Sequence, residues 1–500
     1  MSDIVLTTLN ARYYHSSLGL RYLYANMGTL QSSTEIQEYI INQRPIEIAE
    51  KILERNPRIV GLGIYIWNLE QSRELIAILR RVKPDLRIIV GGPEASYEQQ
   101  TLPFADDVDH VIAGQADLIF PRVCDALLNG QVVEDRFIQA EPFKLDELQF
   151  PYPYYTDEDI RNRFIYVEAS RGCPFKCEFC LSALDKTAWP FDLDRFLDHM
   201  DQLYQRGARH FKFVDRTFNL KVASSIRIME FFLERLDEYL FLHFELIPDH
   251  LPEPLKEMIQ RFPPGSLQFE IGIQTFNPEV QNLISRRQDD VKAEQNIRFL
   301  REQTNAHLHT DLIMGLPGEN IDSIGRGFDR LIALDPHEIQ VGILKRLRGA
   351  PIIRHTEEYQ LRFNPCPPYN ILSTRDIDFA TMQRLSRFAR YWDMIGNSGR
   401  FNTTRSLLLG DAPFQRFLRL ADWLYAETNQ THKIALPRLF RLIYQAGRDE
   451  LGIDETELYT ALHNDYINSG MKGEPAFDTN LRQGGLTRQT GLAVRQSRHH

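Results

Sequence analysis

Short apolar runs alternate with amphipathic stretches along the first 130 residues. Strand-like runs occupy residues 4–8, 35–41, 58–67, 86–90 and 110–113. Residues 17–26, 45–55, 69–81 and 118–128 lie between and after them, and their apolar positions recur at helical spacing. Strands separated by helical segments of about 10–15 residues imply βαβ units and a parallel sheet. The sequence therefore predicts an α/β, doubly wound, Rossmann-like domain over residues 1–135. Ligands of such sheets bind beyond the carboxyl ends of the strands. Those ends carry residues 10–15 (with His15), Trp67 and Asn68, residues 91–94 (with Gly91 and Gly92), and residues 114–117 (with Gly114).

Residues 136–160 interrupt the rhythm. They are rich in acidic residues, proline and tyrosine, and read as a linker whose apolar content packs it onto the surface. A second alternating series follows over residues 161–350. Its strands are predicted at 164–169, 210–215, 242–246, 267–273, 307–314 and 338–344, with helices such as 193–205, 222–239 and 291–302 between them. Six βα units fall two short of a closed eight-stranded barrel, so an open, partial (β/α)6 TIM-type barrel is expected, with its chemistry at the carboxyl ends of the strands. Residues 351–470 read as a helical domain, with helices at 377–395, 413–427 and 436–445. The polar, glycine-containing tail over 471–500 reads as disordered.

The chain has 500 residues, room for several domains. Its 58 Lys+Arg against 68 Asp+Glu give a net charge of −10, which does not favour nucleic acid or an anionic membrane as a whole-chain partner. The N-terminus lacks the pattern of a signal peptide and no apolar run is long enough to span a bilayer, so a soluble, cytoplasmic protein is expected.

Five cysteines in 500 residues are too few for a disulfide framework. Three of them, Cys173, Cys177 and Cys180, form C-x3-C-x2-C in SRGCPFKCEFC, directly after the first strand of the second series. Three thiolates on one tight loop can hold three irons of a cubane cluster and leave the fourth open to a small molecule. A zinc site of three cysteines and one histidine is the competing reading. His199 and His210 are the nearest downstream histidines, and neither has a zinc motif's short spacing. Cys124 and Cys366 look incidental.

The cysteine motif, with Phe179 before its last cysteine, resembles the signature of radical S-adenosylmethionine (SAM) enzymes. That resemblance implies a 4Fe-4S cluster whose open iron is chelated by SAM, reductive cleavage to a 5′-deoxyadenosyl radical, and an electron donor such as flavodoxin or ferredoxin. Residues 269–288 (FEIGIQTFNPEVQNLISRRQ) and 309–320 (HTDLIMGLPGEN) resemble the fourth- and fifth-strand segments of the branch that includes anaerobic coproporphyrinogen oxidase. Position by position, this implies Glu270, Gln274 and Asp311 in the SAM pocket, with Arg286 or Arg287 at the SAM carboxylate and Glu245 beside them. Phe179 is implied beside the adenine. The usual Gly-Gly-Glu after the second strand is replaced by VDRTFN, whose Asp215, Arg216 and Asn219 are candidates to stand in, although Arg216 can instead pair with a carboxylate.

The N-terminal domain resembles the cobalamin-binding domain of the cobalamin-dependent radical SAM class, through SSLGLRYLYA, IIVGGPEAS and IAGQAD. This implies cobalamin near His15, Trp67, Asn68, Gly91, Gly92 and Gly114. The Asp-x-His-x-x-Gly loop that supplies an axial histidine elsewhere is absent, so either no protein histidine ligates cobalt or His15 lies near the corrin without ligating it. Residues 387–401 (RFARYWDMIGNSGRF) resemble a downstream domain of unknown function in one branch of this class. Their helix either caps the barrel mouth or packs Phe388, Tyr391 and Trp392 into a core. The combination implies methyl transfer to an unactivated carbon of an unidentified substrate, a small molecule rather than protein or RNA. A radical cyclase or rearrangement enzyme, and a non-catalytic cobalamin or iron-sulfur sensor, are the alternatives.

Overall fold

A computed structural model describes residues 2–185 and 187–471; the tail expected to be disordered lies, from residue 472, outside them. The first sheet contains β1 (Ile4–Asn10), β2 (Thr34–Ile40), β3 (Ile59–Gly63), β4 (Arg87–Gly91), β5 (His110–Ala113) and β6 (Phe137–Gln139). Its order is β2-β1-β3-β4-β5-β6 and every pair is parallel. The order reverses between β1 and β3, where such sheets open a crevice. Helices α1 (Leu18–Ala25) and α4 (Ile119–Leu128) cover one face, and α2 (Pro45–Glu54) and α3 (Leu69–Val82) the other. Both faces are apolar, so β1 is buried at all seven positions.

Two expectations change here. The sheet has six strands where five were expected, because the segment read as a linker begins with β6. Its three residues are only partly shielded at the sheet edge and carry little pattern. The strand expected over 58–67 stops at Gly63. The Asn68 side chain takes the Tyr65 N–H at 2.8 Å and turns the chain out of the ladder.

The rest of the 140–164 segment, including α5 (Asp157–Asn162), packs into the main core through Leu148, Phe150, Tyr152, Tyr155 and Ile160. It covers the edge of β7 (Ile165–Val167), the first strand of the second sheet. The Tyr155 hydroxyl donates to the Tyr166 carbonyl, and the Tyr152 hydroxyl serves both backbone groups of Glu168. An edge strand's free backbone groups are thus satisfied by side chains, not left open to another chain. A buried ion network fixes the junction. Arg21 bonds Glu38 at 2.6 Å and Asp159 at 2.8 Å, and Arg163 approaches both carboxylates.

After β7, a short antiparallel pair, β8 (Ser170–Arg171) and β9 (Trp189–Pro190), closes the base of a loop. Then come α6 (Leu193–Gln205), β10 (His210–Phe213), α7 (Val222–Leu233), β11 (Phe241–Leu246), α8 (Glu253–Gln260), β12 (Leu267–Gln274), α9 (Pro278–Leu283), α10 (Asp290–Gln303), β13 (His307–Met314), α11 (Ile321–Ile332) and β14 (Glu338–Ile343). The six long-connected strands run parallel in the order β14-β13-β12-β11-β10-β7, an open partial barrel as expected.

The C-terminal region adds a small hairpin, β15 (Arg362–Phe363) and β16 (Ile371–Ser373), and helices α12 (Phe379–Ile395), α13 (Asn402–Leu409), α14 (Pro413–Thr428), α15 (Leu436–Asp449) and α16 (Glu455–Asn468). The aromatic face of α12 does not cap the barrel. Phe388, Tyr391 and Trp392 are buried, and Phe388 and Trp392 pack on Phe328 and Phe417 while the Trp392 indole N–H donates to the Ile339 carbonyl. Those rings find more apolar area against α11 and α14 than a solvated mouth offers.

Candidate functional site

The barrel strands alternate strictly. Phe211, Phe213, Leu242, Phe244, Phe269, Ile271, Leu308, Leu312, Ile339 and Val341 face the helices and are buried. The opposite face, the lumen, carries Lys212, His243, Glu245, Gln268, Glu270, His307, His309, Asp311 and Glu338. These groups are paired across strands. Glu270 accepts from His243 Nε2 at 3.1 Å and lies 3.7 Å from Lys212 Nζ. His309 lies 3.3 Å from Asp311 and 3.4 Å from Glu338, which also bonds His307 at 3.0 Å. Burial alone opposes charge on every member. For Glu270 burial is outweighed by the His243 bond and the Lys212 charge, which hold its pKa low. Burial also disfavours His309 as a cation, but the Asp311 bond and the surrounding carboxylates raise it to about 9. Asp311 is raised, because burial exceeds what His309 returns.

The cysteine loop rises from the carboxyl end of β7. Asp215, just past β10, accepts from the Ala169 N–H at 3.0 Å and the Ser170 hydroxyl at 2.6 Å, so both its oxygens hold the loop base. Burial pushes its pKa up to about 7. Arg171 bonds Glu168 at 2.7 Å, then crosses to Gln115 at 3.0 Å and Asp117 at 3.2 Å in the N-terminal domain, its guanidinium over the Tyr22 ring. Cys173 is buried, and Cys177 and Cys180 are half-buried. Burial raises the Cys173 and Cys177 thiols, and the neighbouring cysteines act on both in the same direction. Two guanidiniums act the other way. Arg286 Nη1 lies 3.6 Å from Cys177 Sγ, and Arg216 acts on Cys173.

Three thiols on one loop, within electrostatic reach of one another and flanked by two cations, suit an anionic thiolate-bound cluster. Among the described residues no three His, Cys, Asp or Glu side chains converge as a single ion requires. The histidines of the zinc reading are engaged elsewhere: His199 packs on Phe150 and Tyr152, and His210 sits at the amino end of β10 between Phe164 and Phe241.

The structure gathers most of the SAM-pocket candidates around the carboxyl half of the lumen. Arg216 donates through Nη1 to both oxygens of Glu245, at 2.9 and 3.2 Å. Glu245 stands in register beside Glu270, and Gly272 beside Asp311. Gln274 sits at an irregularity ending β12, with φ of 69°. Arg286 reaches the Gly272 carbonyl and Gln288 as well as Cys177, whereas Arg287 is exposed. Phe179 is half-buried against the main core. Of the three VDRTFN candidates only Arg216 has an accessible head, and it is paired with Glu245. Asp215 is spent on the loop base, and Asn219, fully buried, is tied to the backbone of Ile247 and His250. Both side chains are thus engaged by the chain itself.

At the carboxyl edge of the first sheet, Trp67 is 44% exposed and stacks on Tyr65 at 4.5 Å. Gly91 ends β4, and Gly92 has φ of +101° with only 2.6 Å between its would-be Cβ and the Ile64 carbonyl, so the turn admits no side chain. Gly114 turns the chain after β5. Asn68 is a correction: it is 0% exposed and its amide is consumed by Thr8, Leu9 and Gly63, so it shapes the edge from beneath. His15 points at the barrel, its Nδ1 2.5 Å from the Tyr166 hydroxyl, and burial lowers its pKa to about 4. Sequence reasoning passed over Lys212, His243, His309 and Glu338. Their signal was present, as charged residues at every second position of otherwise apolar strands. The first-domain partners of Arg171, and the partners of Glu178 and Arg348, are too distant in sequence to leave one.

Comparison with known proteins agrees with this layout. Residues 4–124 match the B12-binding domain, 167–331 the radical SAM superfamily, and 357–482 a protein family of unknown function, DUF4080. An uncharacterized methyltransferase of Pyrococcus horikoshii is 23% identical over 338 residues, covering 61% of this chain and 71% of that protein. The cobalamin-dependent radical SAM methyltransferase TokK of Streptomyces tokunonensis is 22% identical over 390 residues, covering 69% of this chain and 56% of TokK. The chain thus spans little more than half the length of that relative. In fold it is similar to the radical SAM methyltransferase TsrM of Kitasatospora setae, with a TM-score of 0.58, 17% identity, and 74% of this chain and 80% of that one covered.

Proposed function

We propose that this chain, which carries a B12-binding domain and a radical SAM domain, is a cobalamin-dependent radical SAM methyltransferase acting on an unactivated carbon of a small molecule. When bound, the 4Fe-4S cluster, SAM and cobalamin supply the electron, the 5′-deoxyadenosyl radical and the methyl group. The chain supplies holding and orientation. Cys173, Cys177 and Cys180 take one iron each, and Arg286 and Arg216 offset the charge that builds on the loop. Glu270, Asp311 and their histidine partners line the chamber in which SAM and substrate meet, and Gln274 and Glu245 stand at its rim with Phe179. Gly91, Gly92 and Gly114 let a large ring approach the backbone edge of the first sheet, and Trp67 offers it a flat apolar surface. His15, turned to Tyr166, belongs to the chamber wall.

The observation that carries this reading is the Arg171 bridge: one residue joins the base of the cysteine loop to Gln115 and Asp117 at the carboxyl edge of the first sheet. The two sites therefore face each other. We place the first domain boundary after β6, with the barrel beginning at β7 and the helical part following the 345–375 segment. Among the described residues no helix is long and apolar enough to cross a membrane. Free thiols of a cluster site suit a reducing cytoplasm, with a flavodoxin or ferredoxin as donor.

The test is product analysis. Anaerobically reconstituted protein given SAM, hydroxocobalamin and reductant should bind the corrin and yield 5′-deoxyadenosine together with S-adenosylhomocysteine. Corrin binding with neither product would leave a sensor, and 5′-deoxyadenosine without S-adenosylhomocysteine would favour a cyclase.

A further inference from the structure

Between β14 and α12 the chain makes an excursion that joins both cores, with Ala350, Ile352, Tyr359 and Leu361 in that of the barrel and Tyr369 in that of the first domain. It leaves at Lys345 and returns at Asn370, the two paired as a bridge, with the Arg346 N–H on the Tyr369 carbonyl closing the base. On this excursion two charge clusters, around Arg348 and around His355 seven residues further on, are built on buried carboxylates. The first grips the loop that follows β4. Arg348 Nε donates to Glu94 at 3.0 Å, and its Nη1 donates to the Glu98 carbonyl at 3.1 Å and the Thr101 hydroxyl at 2.7 Å. The Tyr369 hydroxyl donates to the same Glu94 oxygen at 2.8 Å, and Arg346 bonds both oxygens of Glu98. Gly349 lies so close beneath the Tyr97 ring that a Cβ would stand 2.3 Å from it.

The second cluster grips the cysteine loop at Glu178, between Cys177 and Cys180. His355 Nε2 lies 3.0 Å from Glu178 Oε2, Arg354 Nε donates to it at 2.8 Å, and the Ser285 hydroxyl donates to Oε1 at 2.5 Å. The backbone joins in: Ile352 N–H donates to the Glu178 carbonyl, and Glu178 N–H to the Ile284 carbonyl. Glu94 is 3% exposed, Glu178 4%, Arg348 and His355 7% each.

Buried ion pairs are poor sources of net stability, since desolvation cancels much of their attraction; what they supply is a fixed geometry. Both anchors sit beside ligand-bearing turns, Glu94 two residues past Gly92 and Glu178 next to Cys177. We propose that residues 345–370 form a positioning strap that sets the spacing between the Gly92 turn and the cysteine loop, with Glu94 and Glu178 as its two anchor residues. What those loops hold rests on the function proposed above; the mechanical link does not.

The strap makes a two-ended prediction that two independent packing clusters do not. In hydrogen–deuterium exchange on the full-length reconstituted protein, at matched iron content, Glu94→Gln should speed exchange about fivefold in peptides covering 92–102 and also in those covering 173–181. Glu178→Gln should do the reverse, loosening 173–181 and then 92–102. Peptides from β12 should not change in either variant. If each substitution loosens its own end alone, the strap is wrong. If Glu94→Gln fails to fold, Tyr369→Phe, which removes one hydroxyl, carries the same two-ended expectation and the same refutation. Wild-type protein that bound no hydroxocobalamin would sink the proposed function and leave the exchange result standing.

Discussion

Two six-stranded parallel sheets lie side by side in this molecule, and they differ in what their faces carry. The first is apolar on both faces. Val5 and Leu9 of β1 pack toward α2 and α3, while Ile4 and Leu6 pack toward α1 and α4. The second is apolar on its helix side and ionic on the other, with Glu270, His309 and Glu338 where the first sheet has valine and isoleucine. The backbone ladder is the same. A sheet buried on both faces can present a ligand only its strand ends, so its binding chemistry falls to turns such as Gly92. A sheet curved around a lumen can place charged groups along the strands themselves. That contrast explains why the expected cobalamin contacts lie at strand ends and turns, whereas half of the expected SAM contacts, Glu245, Glu270, Gln274 and Asp311, are strand residues.

The largest expected effect tests the loop that serves the second sheet. Cys177→Ala should lower 5′-deoxyadenosine formation more than about a hundredfold, since losing even an outer-sphere partner of a metal ligand costs about 10–100-fold. Iron content, measured alongside, should fall with it. The first sheet is broken most sharply at Gly92→Val. A side chain at φ of +101°, pressed on the Ile64 carbonyl, should cost about 1–3 kcal/mol and release hydroxocobalamin, read by its visible spectrum, with cluster loading intact. Glu270→Gln should leave Lys212 and His243 without a compensating charge and cut turnover by about tenfold or more, with the fold retained by circular dichroism.

The ionic face also predicts a pH dependence that the apolar sheet does not. His309 has a folded pKa of about 9, above its ordinary 6.5. Its contribution is therefore full below about pH 6.5 and is lost as pH rises through 9. The midpoint of thermal unfolding should fall between pH 7 and 10 by an amount equivalent to up to about 3 kcal/mol, and His309→Gln should flatten that fall. The smallest effect belongs to Trp67→Ala. Losing a half-exposed ring that stacks on Tyr65 and bonds the Leu9 carbonyl should cost about 1 kcal/mol of stability, while weakening hydroxocobalamin binding measurably in a spectroscopic titration.

Much of this was legible in the sequence, for a physical reason. Cys173, Cys177 and Cys180 fall within eight consecutive residues, so their chemistry is local. The open barrel was legible because five of its six strands alternate over four to eight residues. What escaped has its cause in three dimensions. β6 is three partly shielded residues at a sheet edge. Asn68 and Asp215 stand at the strand ends where ligand contacts were expected, yet their side chains are spent on the backbone, which only burial reveals. Glu94 and Arg348 are 254 residues apart, and no local pattern announces such a pair. The aromatic face of α12 was readable as a cap or a core, and the choice was made by Phe328 and Phe417, which the sequence does not place beside it.

The central claim is that the strand ends of one sheet and the lumen of the other form a single chamber. Electron paramagnetic resonance of reduced protein carrying both cluster and cob(II)alamin tests it directly. Adding SAM should alter the cluster spectrum and the cob(II)alamin spectrum together. SAM that changes the cluster spectrum and leaves the cob(II)alamin spectrum untouched would contradict the account.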